Sequence, residues 1–203
     1  MEPQTTLDLI RHGEPDGGVR YRGHRDDPLS PQGWQQMNAA IHADDRWDLV
    51  ISSPLQRCQA FAQSIAEQQS IPLLIDSTFK EMSFGEWEGL TPMEVGAIWP
   101  DQPQAFWQDA RQHPAPGSEP INDFAQRVAN GLHQCLDQHA GQRLLLVAHG
   151  GVIRMALAAV LGIPANHAMR RLRVPYACRT RLQHDALGTQ LVSHGHPFRS
   201  HDH

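Results

Sequence analysis

The sequence predicts an α/β protein, and three observations carry that prediction. Short apolar runs alternate with longer segments of helical periodicity. Two of those runs end alike, in a histidine followed by glycine: Leu9-Ile-Arg11-His12-Gly13 and Val147-Ala-His149-Gly150-Gly151. A third run stops just before a proline and an arginine, Ser52-Ser53-Pro54-Leu55-Gln56-Arg57. In open α/β sheets ligands bind in the crevice beyond the carboxyl ends of the strands. If these three strand ends lie side by side, Arg11, His12, Arg57 and His149 surround one point. Such a point suits a phosphate.

The first strand is residues 7–10, since Leu and Ile dominate and glycine soon follows. The loop 14–29 carries Pro15, Gly17, Gly18, Gly23 and Pro28. Its glycines serve either a flexible connection or a close approach of backbone amides to a ligand. Ser30-Pro31 opens a helix, with serine as N-cap and proline in the first turn. Trp34, Met37, Ala40 and Ile41 recur at helical spacing and are assigned to the core. The run 48–53 is a second strand. Pro54 suits the first turn of the next helix, residues 55–69, which buries Phe61, Ala62 and Ile65. Arg57 sits in that first turn, where the helix dipole disfavours a cation, so its place calls for a reason.

Residues 73–75 form a short strand. Residues 79–89 are rich in acids, aromatics and glycine, and Thr91 to Glu94 has capping-box spacing for a short helix. With Pro100, Pro103, Pro114, Pro116 and Pro120, the stretch 83–120 reads as an irregular insertion capping the strand ends. Residues 121–139 are an amphipathic helix with Phe124, Val128, Leu132 and Leu136 on one face. The His149 strand follows, then a helix over 152–161. Strand-like pieces at 172–175, 179–183 and 190–192 complete the chain before a histidine-dense tail, 194–203. That tail reads as a flexible terminus, with adventitious metal binding as the alternative.

Composition sets outer limits. The 203 residues suffice for one core and predict one domain, 1–203, with the cap at 83–120. A formal net charge of -5 gives no general attraction for nucleic acid, so a phosphate pocket here must be local. The three cysteines, Cys58, Cys135 and Cys178, lack CxxC spacing and read as reduced structural thiols of a cytoplasmic protein. No signal peptide and no membrane span are expected.

Four segments together resemble the histidine phosphatase (phosphoglycerate mutase-like) superfamily. They are Leu9-Ile-Arg11-His12-Gly13-Glu14, Ser52-Ser-Pro-Leu-Gln-Arg57, Glu81, and Val147-Ala-His149-Gly-Gly151, within residues 7–164. The resemblance implies a three-layer sandwich with a mostly parallel sheet flanked by helices, and no metal or other cofactor. It implies that His12 is the nucleophile, that Arg11, Arg57 and His149 hold phosphate oxygens beside Gly150, and that Glu81 protonates the leaving group. The residues alone leave Glu86 and Glu88 as alternatives to Glu81; the resemblance selects Glu81. Chemistry explains the residue types. The attacking imidazole must be neutral, which neighbouring arginines favour. Guanidinium groups match the phosphoryl oxygens and stabilise their charge during transfer.

Within the superfamily, Tyr21-Arg-Gly-His24, Asp27-Pro-Leu-Ser30 and Glu81-Met-Ser-Phe84-Gly-Glu-Trp87-Glu-Gly89 are similar to the α-ribazole phosphatase group. That similarity implies hydrolysis of α-ribazole 5′-phosphate in cobalamin nucleotide-loop assembly. The alternatives are a broad-specificity or sugar-phosphate phosphatase, a phosphoglycerate mutase, a non-catalytic phosphate-binding module and, most remotely, a metal-dependent hydrolase. The expected partner is a small phosphomonoester, with no nucleic acid or membrane, and a homodimer is left open. Trp87, Trp99 and Trp107 either stack on a substrate base or pack the cap. One departure stands out. The family pattern has an asparagine after His-Gly-Glu-Thr, whereas this chain reads His12-Gly-Glu-Pro15-Asp-Gly-Gly18. Arg22 or loop amides are expected to replace its phosphate contact.

Overall fold

The computed structural model describes residues 4–195. Its centre is a six-stranded sheet of β1 (Thr5–Arg11), β2 (Leu49–Ser52), β3 (Leu73–Ile75), β4 (Arg143–Ala148), β5 (Arg179–Asp185) and β6 (Gly188–Gly195). The strands lie in the order β3-β2-β4-β1-β5-β6. The first four in that order run parallel, and β5 and β6 are antiparallel additions at one edge.

Period-two alternation in the strands splits the core into two layers. Leu7, Leu9, Leu49, Ile51, Leu144 and Leu146 face one apolar cluster. Ile10, Val50, Leu145 and Val147 face the other. Helices α5 (Ile121–Gln138) and α6 (Gly150–Leu161) cover the first face, and α1 (Pro31–Ala39) and α2 (Gln56–Gln69) cover the second. This is the three-layer arrangement the sequence implied. Asp8 interrupts the apolar run of β1, and the structure explains it. Its carboxylate accepts from Arg181 Nε at 2.7 Å, Trp47 Nε1 at 3.0 Å and Arg179 Nη2 at 3.2 Å, tying β1 to β5. A buried carboxylate is tolerable only with such partners.

The Ser30 cap is present: its side chain accepts from Gly33 N, and Pro31 begins α1. Four readings need correction. Pro54 precedes α2, whose N-cap is Leu55. The Asp26 carboxylate accepts from Gln56 N at 2.6 Å and does the work of a cap from a distant loop. Helix α6 starts at Gly150, two residues earlier than expected, because His149 already stands in its N-cap. The insertion at 83–120 is more regular than its prolines suggested, holding α3 (Pro92–Ile98) and α4 (Gln102–Gln108). Pro92 and Pro103 lie in the first turns of these helices, where proline starts a helix instead of breaking it. Thr91 and Glu94 complete the expected capping box.

The fourth correction concerns residues 172–175, which are not a strand. Before them lies an unanticipated helix, α7 (Ala165–Arg171), which buries only Asn166, Ala168 and Met169. Seven residues with so few apolar positions give periodicity little to detect. Of the histidine-dense tail, residues 196–203 lie outside the described residues. Among the described residues no helix is long and apolar enough to cross a membrane, and Cys58, Cys135 and Cys178 are free and buried.

Candidate active site

Three neighbouring parallel strands deliver the site. β4 lies between β2 and β1, so its C-terminal end meets both. His12 N donates to Ala148 O at 2.9 Å, and Ser53 N donates to Val147 O at 3.1 Å. The His12 and His149 rings then sit edge to face, with centroids 5.2 Å apart. This is the convergence that two copies of a strand ending in His-Gly required.

His12 is held in a defined tautomer. Its Nδ1 lies 2.7 Å from Gly13 O, a group that can only accept, so Nδ1 carries the proton and Nε2 keeps its lone pair. Burial, then Arg57, then Arg11 push the His12 pKa well below the ordinary imidazole value. The ring is therefore neutral and basic only at Nε2. His149 is fully buried, and its Nε2 lies 2.7 Å from Ser53 Oγ. Burial and Arg57 lower its pKa as well.

The two arginines are braced by backbone carbonyls. Arg11 Nη1 donates to Val174 O at 2.6 Å, and its guanidinium lies 4.2 Å from the centre of the Tyr176 ring. Arg57 Nη1 donates to Arg25 O at 2.6 Å and its Nη2 to Gly23 O at 2.8 Å. The place of Arg57 in the first turn of α2 now has its reason, because loop 14–29 folds over that turn to grip it. The buried Nε of each of these arginines has no hydrogen-bond partner among the described residues. Two buried donors of this kind beside a neutral histidine suit an oxyanion that supplies the missing acceptors.

Glu81 meets the start of α6. Its Oε2 accepts from Gly151 N and its Oε1 from Met82 N, both at 3.0 Å. A Cβ on Gly151 would stand 2.2 Å from Glu81 Oε1, so only glycine lets this helix start approach the carboxylate. The other two acids are elsewhere. Glu86 is exposed. Glu88 is a staple, accepting from His24 N at 2.7 Å, Arg25 N at 2.5 Å and Phe84 N at 3.1 Å. It fixes the very turn whose carbonyls grip Arg57.

Arg22 is drawn into the loop itself. Its Nε donates to Asp27 at 2.7 Å, Nη1 to Gly18 O at 2.6 Å and Nη2 to Asp16 O at 2.5 Å. Its charge still helps to depress the His12 pKa. Gly150 lines the cleft with Arg11.

That cleft has a volume of about 380 Å³, within the range of small-molecule sites. Arg11, Glu81 and Gly151 are among its polar lining; Tyr21, Phe84 and Trp107 give it aromatic surface. Of the three cap tryptophans only Trp107 reaches it. Trp87 is fully buried, and Trp99 packs on it with ring centroids 6.5 Å apart. Sequence reasoning missed Tyr176 and Arg154, which also line the cleft. Arg154 had a signal, since it stands four residues after Gly150 on one helix and so shares its face. Tyr176 had none, lying in the irregular stretch before β5. Among the described residues no group of three His, Cys, Asp or Glu side chains could hold a metal ion.

The model of the histidine phosphatase superfamily (branch 1) matches residues 7–197. The chain is 33% identical over 172 residues to the glucosyl-3-phosphoglycerate phosphatase of Mycolicibacterium vanbaalenii, covering 79% of this chain and 76% of that one. It is 31% identical over 176 residues to the adenosylcobalamin/α-ribazole phosphatase of Escherichia coli, covering 84% and 85%. Among solved structures, the native mycobacterial glucosyl-3-phosphoglycerate phosphatase superposes with a TM-score of 0.84 at 26% identity, over 96% of this chain and all of the other.

Proposed function

Because the chain belongs to the histidine phosphatase superfamily, we propose that it hydrolyses small phosphomonoesters through a phosphohistidine on His12. The observation that carries this reading is the His12 ring, buried and neutral, with Nε2 free and under the influence of two arginines whose buried Nε groups await an acceptor. Nε2 attacks phosphorus, and the bond to the ester oxygen breaks as Glu81 gives that oxygen a proton. Arg11, Arg57 and His149 hold the three phosphoryl oxygens and their charge. Water then attacks the phosphohistidine and yields its proton to Glu81. The P–N bond breaks, inorganic phosphate leaves, and the enzyme is restored.

Two substrate readings arise from two parts of the cleft. The aromatic wall of Tyr21, Phe84 and Trp107 suits a flat apolar body and supports α-ribazole 5′-phosphate, the substrate class named for the Escherichia coli relative. Arg154 favours a phosphorylated hydroxy acid, the class named for the mycobacterial relative. In this reading the chain is one domain, residues 83–120 form the cap that selects the substrate, and the enzyme works in the cytoplasm.

The test is acid-free quenching of the protein during turnover of a 32P-labelled aryl phosphate. A covalent phosphoprotein, stable to base and labile to acid, is expected from the wild type and not from His12→Ala. Turnover without any such species would overturn the reading.

A further inference from the structure

Arg154 has no role in the chemistry above, and its surroundings are unusual for a cation. It lines the same cleft as Arg11, Glu81 and Gly150. A single hydrogen bond fastens it, from Nε to Leu172 O at 2.9 Å. Among the described residues no carboxylate lies within ion-pair distance of it. Glu81, the acid that acts on its charge, is already engaged by two backbone N–H groups. A Cβ on Gly150 would stand 3.1 Å from Arg154 Nη1 and 3.3 Å from Arg11 Nε, so both guanidinium groups crowd one backbone point. Like charges brought together in a half-buried cleft are costly without an anion to share.

The side on which Arg154 lies decides which anion. In-line transfer puts the nucleophile and the leaving group on opposite sides of phosphorus. The arginines that act on His12 are Arg57, Arg11 and Arg22. Arg154 is instead under the influence of Glu81, which in the reading above protonates the departing alcohol, and it lines the same cleft as that acid. We propose that Arg154 is a specificity residue that binds a second anionic group, a carboxylate or a further phosphoryl, on the leaving-group portion of the substrate.

This inference rests on the phosphohistidine hydrolase reading but is tested separately from it. The measurement is kcat/KM for 3-phosphoglycerate, 2,3-bisphosphoglycerate and glycerol 3-phosphate, in the wild type, Arg154→Ala and Arg154→Lys. The wild type should prefer an acid ester to glycerol 3-phosphate, and the favoured ester tells carboxylate from phosphoryl. In Arg154→Ala that preference should shrink by about 10- to 100-fold, chiefly through KM, as befits loss of a charge-assisted contact. Arg154→Lys should restore part of it. An equal loss on all three esters would mean that Arg154 touches the transferred phosphoryl group, and the proposal falls. It also falls if the wild type shows no preference for an acid ester, a result that needs no variant to fold. The phosphoprotein trapped with an aryl phosphate stands or fails independently of these ratios.

Discussion

The polar floor of the site and the wall of the cleft beside it are built by different means. The floor is the C-terminal edge of β1, β4 and β2, and its side chains are buried: His12 is 5% exposed, and Arg57 and His149 are 0%. Each is fixed by a backbone carbonyl or a buried hydroxyl. The wall comes from loop 14–29 and the cap, and it includes exposed apolar residues such as Val19 and Trp107. The contrast separates two tasks. A preorganised polar floor can stabilise developing charge on any phosphoryl group. A wall of short helices can discriminate among the alcohols attached to it.

The sharpest way to break this comparison is at the floor. His12→Ala should lower kcat by about 10,000-fold or more on every ester, with the melting temperature almost unchanged. Appreciable turnover by that folded variant would move the nucleophile elsewhere. Next is Glu81→Gln, expected to cost about 100- to 10,000-fold on an alkyl phosphate. The loss should be much smaller on a nitrophenyl phosphate, whose leaving group needs no proton. Equal losses on both would deny Glu81 its role as acid.

The scaffold of the wall gives a stability effect. Trp87 is fully buried beneath Tyr21 and Phe106, with ring centroids at 4.9 and 5.3 Å. Trp87→Ala should cost about 3–5 kcal/mol in urea unfolding, a cavity effect. Trp107→Ala should instead leave stability close to the wild type and change KM by only a few-fold, more for an aromatic ester than for glycerol 3-phosphate. If Trp107→Ala affected all esters alike, the wall would not discriminate.

The pH dependence tests the floor in another way. His12 and His149 have folded pKa values below the ordinary 6.5, through burial first and Arg57 next. Below 6.5 the unfolded chain takes up protons that the folded rings exclude. Stability is therefore full above that pH and declines as pH falls toward the depressed folded values. For the same reason His12, as the proposed nucleophile, should stay neutral below 6.5, and the acid limb of kcat/KM should lie well under it. Arg57→Gln should move that limb upward; a limb at 6.5 in the wild type would contradict the depressed His12 value.

The convergence of Arg11, His12, Arg57 and His149 and the α/β order were legible in the sequence because each signal is local. A strand of alternating burial ends, a reactive residue follows, and a glycine or proline opens the helix beyond. Such patterns are written in consecutive residues, and parallel pairing of the strands brings them together whatever the loops do. The sequence also held the capping box at Thr91 and the apolar faces of the long helices, again within a turn or two of chain.

Only tertiary structure could decide the rest, because it depends on which distant backbone groups claim a side chain. Glu81, Glu86 and Glu88 are chemically alike in sequence. Gly151 N takes the first, solvent the second, and the 23–25 turn the third. Nothing local in the sequence told that Asp27, Gly18 and Asp16 each accept from the Arg22 guanidinium. Of three tryptophans, packing buried one, leaned another on it and left Trp107 to the cleft. Arg154 became notable only once its neighbours were seen to include another arginine, and no acid free to pair with it.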